Sequence, residues 1–142
     1  MQAWLNFLGA SALLDRRLDQ QLKHDAGLSH TQYDVLAKLS AEPAGEMHMH
    51  ELAAAIYTSK SGLTYQISQL ERAGLVERRP CDHDVRGVHA AITEPGRRKL
   101  KDAAPGHVAL VRELLIGALT PRELHALSQA LGKVLQRAES PG

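Results

Sequence analysis

Residues 82–96 read Asp82-His83-Asp84-Val85-Arg86-Gly87-Val88-His89-Ala90-Ala91-Ile92-Thr93-Glu94-Pro95-Gly96, and the reading of this stretch decides the fold. A charged knot gives way to a short apolar segment, Val88 to Ile92, and then to a helix-start signal, Thr93 to Gly96. The segment Val88–Ile92 reads as a short strand. Just upstream, Leu75-Val76-Glu77-Arg78-Arg79 reads as a second strand, with Pro80 to Gly87 as the joining loop. A hairpin tip needs only turn residues. This one also holds Arg86 close to Asp84, which suggests a side chain meant to touch something outside the protein.

The residues before the hairpin complete the pattern. His50 to Ile56 is a short helix, Tyr57-Thr58-Ser59 a break, and Lys60 to Ala73 a second helix that stops at Gly74. Two helices joined by a tight turn make a helix-turn-helix, a weak signal alone. Followed at once by a hairpin, it becomes a winged helix. In the second helix Leu63, Ile67 and Leu70 repeat at i, i+4 and i+7 and define the buried side. The opposite side carries Ser61, Tyr65, Ser68, Gln69 and Arg72, with Thr64 at the margin. Such donors, acceptors and small apolar groups suit the edges of bases in a major groove. Thr58 or Ser59 at the helix start, with Lys60 beside it, suits a phosphate. Ser59, Lys60, Ser61, Thr64, Tyr65, Gln66 and Ser68 are therefore the candidate DNA-binding residues on this helix, and Arg79 on the strand after it.

The flanking segments are helical. Trp4, Leu8, Leu14, Leu18 and Leu22 keep helical spacing from Trp4 to about Lys23, and Gly27 ends that helix. Ser29 and Gln32 form a capping-box pattern, with Leu28 and Tyr33 as the hydrophobic staple. The second helix carries Val35, Leu36 and Leu39 inward and stops near Glu42-Pro43-Ala44-Gly45. The helix opening at Thr93 is expected to kink or break at Pro105-Gly106, because Pro removes a backbone donor. Thr120-Pro121-Arg122-Glu123 opens the last helix, with its stripe Leu124, Leu127, Leu131, Val134 and Leu135.

The 142 residues amount to one domain. Hydrophobic residues make up 44% but aromatics only 4%, which favours a core of packed aliphatic helices. The expected fold class is mainly α with a small β-hairpin wing: a winged helix-turn-helix over 29–100, with dimerisation helices over 1–28 and 101–139. A net charge of +1 hides an uneven distribution, since Tyr57 to Lys101 carries nine Lys/Arg against five Asp/Glu. That local basic surface fits nucleic-acid contact. The lone Cys81 allows no internal disulfide and points to a reducing compartment. Met1 to Leu14 is uncharged, but no basic segment precedes it, so it reads as a partner-seeking helix of a cytoplasmic protein rather than a leader.

In these residues the chain resembles MarR-family winged-helix transcriptional regulators. The match lies in Thr58 to Ser61 with Leu63-Thr64, in Leu70-Glu71-Arg72-Ala73-Gly74-Leu75-Val76-Glu77-Arg78, and in Asp84-Val85-Arg86-Gly87 with Ile92-Thr93 and Gly96. The order of elements agrees over nearly the whole chain. The resemblance implies a homodimer with intertwined terminal helices and a recognition helix in each major groove. It implies that Arg86 enters the flanking minor groove, held by Asp84, and that Thr31, Gln32 and His50 approach phosphates. A narrow minor groove attracts arginine. It further implies a repressor on a near-palindromic double-stranded operator, released by a small-molecule effector seated between the dimer helices and the DNA lobe.

Other chemistries find less support. The eight histidines include His48-Met49-His50 on one extended segment, and His24, His30 and His107 around another turn. None has the spacing of a structural zinc site, so no metal or other cofactor is expected. Cys81 has Arg78 and Arg79 nearby to lower its pKa and Asp82 to oppose them, and reads as an exposed, tolerated cysteine. No nucleophile–base set or glycine-rich phosphate loop is present, so no enzyme is expected. The alternative is a winged-helix protein-interaction module without sequence-specific DNA binding. It would need an exposed apolar patch on the recognition helix, where only Tyr65 qualifies.

Overall fold

The computed structural model describes residues 1–81 and 84–141, without the side chains of residues 81–86. The elements run α1 (Gln2–Ala26), α2 (His30–Ala41), β1 (Glu46–His48), α3 (Met49–Ala55), α4 (Lys60–Arg72), β2 (Val76–Cys81), β3 (Asp84–Ile92), α5 (Glu94–Val111), a π-helical turn (Arg112–Ile116) and α6 (Pro121–Glu139). Residues 1–107 and 108–142 form two compact units.

Local chemistry sets the ends. Gly27 closes α1 in the left-handed conformation, φ 67°, and its N–H returns to the Lys23 carbonyl. Ser29 accepts from the Gln32 N–H while the Gln32 side chain accepts from the Ser29 N–H, so the capping box is formed. Thr120 and Glu123 form the same box at α6, where the Thr120 N–H donation holds the Glu123 carboxyl below its ordinary pKa. Between α3 and α4 the turn puts Tyr57 at φ 55°, a conformation an exposed tyrosine adopts only under constraint from both helices.

The core of the first unit lies where α2, α4 and the sheet meet. Leu36, Leu39, Leu52, Leu63, Ile67 and Leu70 are essentially without solvent contact, joined by Leu22 from α1 and Val76 and Ala90 from the strands. Strand order is β1-β3-β2, all antiparallel, with Glu46 opposite Ala91 and Val76 opposite Ile92. The foot of the hairpin is fastened to α5. Thr93 Oγ1 donates to the Gly74 carbonyl at 2.7 Å and accepts from the Gly96 N–H at 3.1 Å. Gly96 is required there, because a Cβ would run into the Leu75 carbonyl.

Three expectations are corrected. The segment around His48 is a third strand, β1, and Met49 and His50 already belong to α3; three residues are too few to show alternation, and only pairing with β3 defines the strand. The hairpin strands reach further than Arg79 and Val88. Paired positions extend to Cys81 and Asp84, with a register shift between Pro80 and Cys81. Pro80 is accommodated because β2 is an edge strand. Finally, the break expected at Pro105-Gly106 is absent, and α5 continues to Val111. Pro105 lies on the exposed side, where water can satisfy the carbonyl it leaves without a donor, while Ala103 is buried on the other. The irregularity appears one turn later, as the π-helical Arg112–Ile116.

Ile67→Ala removes a fully buried side chain from the α4 face and should destabilise the fold by about 2–5 kcal/mol. Urea unfolding followed by circular dichroism measures it; a loss near zero would contradict this core.

Candidate nucleic-acid interface

α4 has two chemically distinct sides. Leu63, Ile67 and Leu70 face the core, and Ser61, Thr64, Tyr65 and Arg72 are exposed, Tyr65 at 62%. Thr64, placed at the margin by the sequence, lies fully on the outer side. Ser59 caps the helix by accepting from the Gly62 N–H at 3.1 Å, and its hydroxyl lies 3.3 Å from that of Ser61. Gly62 serves this cap. A Cβ there would crowd Thr58 Oγ1 and Ser59 Oγ, at 3.0 and 3.1 Å. Lys60 is exposed beside it.

Not every candidate on α4 is equally free. Thr64 Oγ1 donates to the Lys60 carbonyl and Ser68 Oγ to the Thr64 carbonyl, both at 2.9 Å, so both hydroxyls face outward chiefly as acceptors. Gln66 is half-buried, its Oε1 enclosed without a hydrogen-bond partner among the described residues. Ser68 also accepts from Arg78, which was not among the candidates read from the sequence.

Arg78 ties β2 to α4. Its Nη2 donates to Ser68 Oγ at 3.0 Å and to the Thr64 carbonyl at 3.4 Å. Its Nη1 and backbone N–H both donate to the Glu71 carboxylate at 3.3 Å. The guanidinium fork thus fixes the root of the hairpin against the recognition helix. The only sequence signal was an arginine seven residues after Glu71, and helical spacing loses its meaning there because the helix ends before Gly74. Arg79, by contrast, is held by acidic groups. It bonds Glu77 and, at 3.3 Å, Glu46, which keep it more firmly protonated than an ordinary arginine and neutralise much of its charge.

The remaining candidates surround this face. His50 is exposed at the start of α3, its ring centroid 4.1 Å from that of His48. Thr31 and Gln32 lie in the first turn of α2, where Gln32 is already engaged in the cap. Asp84, Arg86 and Cys81 have side chains outside the described residues, as have Asp82 and His83 altogether. Among the described residues no group of three or more His, Cys, Asp or Glu could hold a metal ion.

A second polar cluster joins α1, α2 and α5. His30 Nδ1 lies 2.7 Å from Asp15 and its backbone N–H donates to Asp19 at 2.9 Å. Lys23, then the His30 N–H, hold Asp19 below its ordinary pKa, whereas burial pushes Asp34 up. His107 stacks on Tyr33 with ring centroids 4.2 Å apart, and burial, reinforced by His30, holds it neutral to lower pH than usual.

A MarR family model matches residues 26–87. Transcriptional repressor MprA of Escherichia coli (strain K12) is 30% identical over 129 residues, 91% of this chain and 72% of MprA. The chain belongs to the MarR family. Sco3205, a MarR family transcriptional regulator from Streptomyces coelicolor solved in complex with DNA, superposes with a TM-score of 0.94 at 34% identity, over 98% of this chain and 87% of that one. AbsC, a MarR family regulator from the same organism, gives 0.90 at 38% identity, over 96% and 91%. This MarR-family chain therefore has the mainly α, winged-helix fold expected from its sequence, and it is a transcriptional regulator. No helix among the described residues is long and apolar enough to cross a membrane.

Two outcomes follow from the geometry. Arg78→Ala should cost about 1 kcal/mol, since the group is a third exposed and screened, and should speed amide exchange in β2 more than in α2. Equal exchange in both would remove the strut. For His107, a folded pKa below the unfolded value means that the unfolded chain binds more protons, so stability falls as pH drops through the imidazole range, about 6.5. In His107→Gln the loss of Tm between about pH 7 and pH 5 should shrink; an unchanged profile would exclude that role.

Proposed function

We propose that two copies of this chain form a homodimer that binds a near-palindromic double-stranded DNA site and represses transcription, each copy laying α4 in a major groove. The observation that carries the reading is the exposed polar side of α4, followed directly by the hairpin. Ser61, Thr64 and Tyr65 stand outward while the apolar side is fully buried. Ser59, Lys60 and His50 would contact the phosphate backbone at the starts of α4 and α3, and Thr31 and Gln32 would approach phosphates from the start of α2. Arg86 would enter the flanking minor groove with Asp84 orienting its guanidinium. The likeness to a DNA-bound regulator and to a repressor supports this reading and weighs against an interaction module.

The dimer reading draws on unburied apolar stripes. Trp4, Leu5, Phe7, Leu8 and Leu13 on α1 are exposed, and α6 has no buried residue despite its apolar stripe. Residues 1–28 and 101–139 would pair with their counterparts, leaving 29–100 as the DNA lobe. A small-molecule effector between the two regions would shift the lobe spacing and release the operator. The protein would work in the cytoplasm without catalysing a reaction.

Selection of bound duplexes from a random library should recover a two-fold symmetric site with half-sites about one helical turn apart. Affinity for it should drop steeply with salt, and Arg86→Ala should weaken it by about 1–3 kcal/mol. Absence of any enriched motif at moderate salt would overturn the reading.

A further inference from the structure

Between the start of α3, the first turns of α4 and the two hairpin strands lies a cleft of about 410 Å³. Its rim carries His48, His50, Lys60, Thr64 and Arg78. The His48 and His50 rings are 4.1 Å apart, tilted by 58°, and His89 stands 5.5 Å behind His48, edge-on. Pairing across the sheet explains this grouping. His48 of β1, His89 of β3 and Arg79 of β2 lie directly opposite one another in one row.

On β1, Glu46 lies 3.6 Å from His89 Nδ1 and is shared with Arg79 of β2. On β2, Arg78 is committed to Glu71 and to α4. Lys60 of α4 forms no ion pair among the described residues, and on α3 Glu51 follows His50 at an exposed position. His48 Nδ1 accepts from the His50 backbone N–H at 3.4 Å, so the neutral ring carries its proton on Nε2. An anion in the cleft would accept from the ring N–H groups and would favour a proton on the rings that face it.

Resting on the DNA-binding reading above, we propose that this cleft seats one backbone phosphate of the bound duplex on the His48–His50 pair and Lys60, and that binding takes up a proton. The affinity for DNA then rises as pH falls, and the protein reads acidity through its contact with the phosphate backbone. The two rings are brought together only by the β1–α3 corner, which the sequence shows as an extended segment.

The test uses the full chain and a duplex recovered by selection, with anisotropy measured from about pH 8 to about pH 6 in chloride buffers of constant ionic strength. Uptake of one proton gives up to about a tenfold gain in affinity per pH unit, and at low pH the salt slope steepens by about 0.9. H48Q/H50Q should flatten the pH profile and lose the added slope, while H24Q, at the exposed end of α1, should keep both. Circular dichroism verifies the fold of each variant, and H50Q alone, which leaves the His48 cap in place, should flatten the profile in part. A pH-independent wild type that still binds, or an H48Q/H50Q profile matching wild type, overturns the phosphate seat and leaves the regulator reading standing. Competition by inorganic phosphate at matched ionic strength would assign the cleft to a free anion instead. If no duplex is bound at any pH, both readings fall.

Discussion

The burial of Leu63, Ile67 and Leu70 is the constraint on which the interface depends. These side chains lie on one side of α4 and are sealed against α2, α3 and β2. Each stabilises by roughly 1.5–3 kcal/mol when taken out of water, so rotation of α4 about its axis is far too costly to occur. Burial of the inner side thereby sets, residue by residue, the direction of the outer one. Its hydroxyls, phenol and cation can be chosen for a partner because they contribute little to holding the fold.

Arg78 extends that constraint to the hairpin. Without it, β2 and α4 would be joined by core contacts and a short turn alone. With it, one guanidinium bonds a helix carbonyl, a helix hydroxyl and a carboxylate at once. The root of the hairpin is thereby held against α4. This arrangement also withdraws Ser68 from free display. The freely exposed polar surface of α4 is consequently narrower than the helical wheel suggests, centred on Ser61, Thr64 and Tyr65.

The terminal helices follow a different logic. Trp4, Phe7 and Leu13 on α1 and Val134 and Leu135 on α6 are exposed in the single chain, although their spacing is that of a buried stripe. Amphipathic helices with an uncovered apolar side are stable only when something covers it. A second copy of the chain is the simplest complement, and it would place two recognition helices on a common axis.

The sequence by itself determined the helices, their caps and the inner side of α4, because these rest on local rules. A Ser–Gln pair three apart, a glycine after a helix and apolar residues at i, i+4 and i+7 carry their meaning within a few residues. The family resemblance was legible for the same reason, since its motifs are short and contiguous. Tertiary structure decided what depends on residues far apart in the chain. β1 exists only because Glu46 to His48 find Ala91 to His89, and its three residues show no period of their own. Pro105 stays helical because its defect falls on the wet side of α5, a fact of packing rather than composition. The His48–His89–Arg79 row likewise arises from register between strands, which fixes who stands opposite whom, and the Arg78 strut from β2 lying against α4; neither leaves a trace in linear spacing.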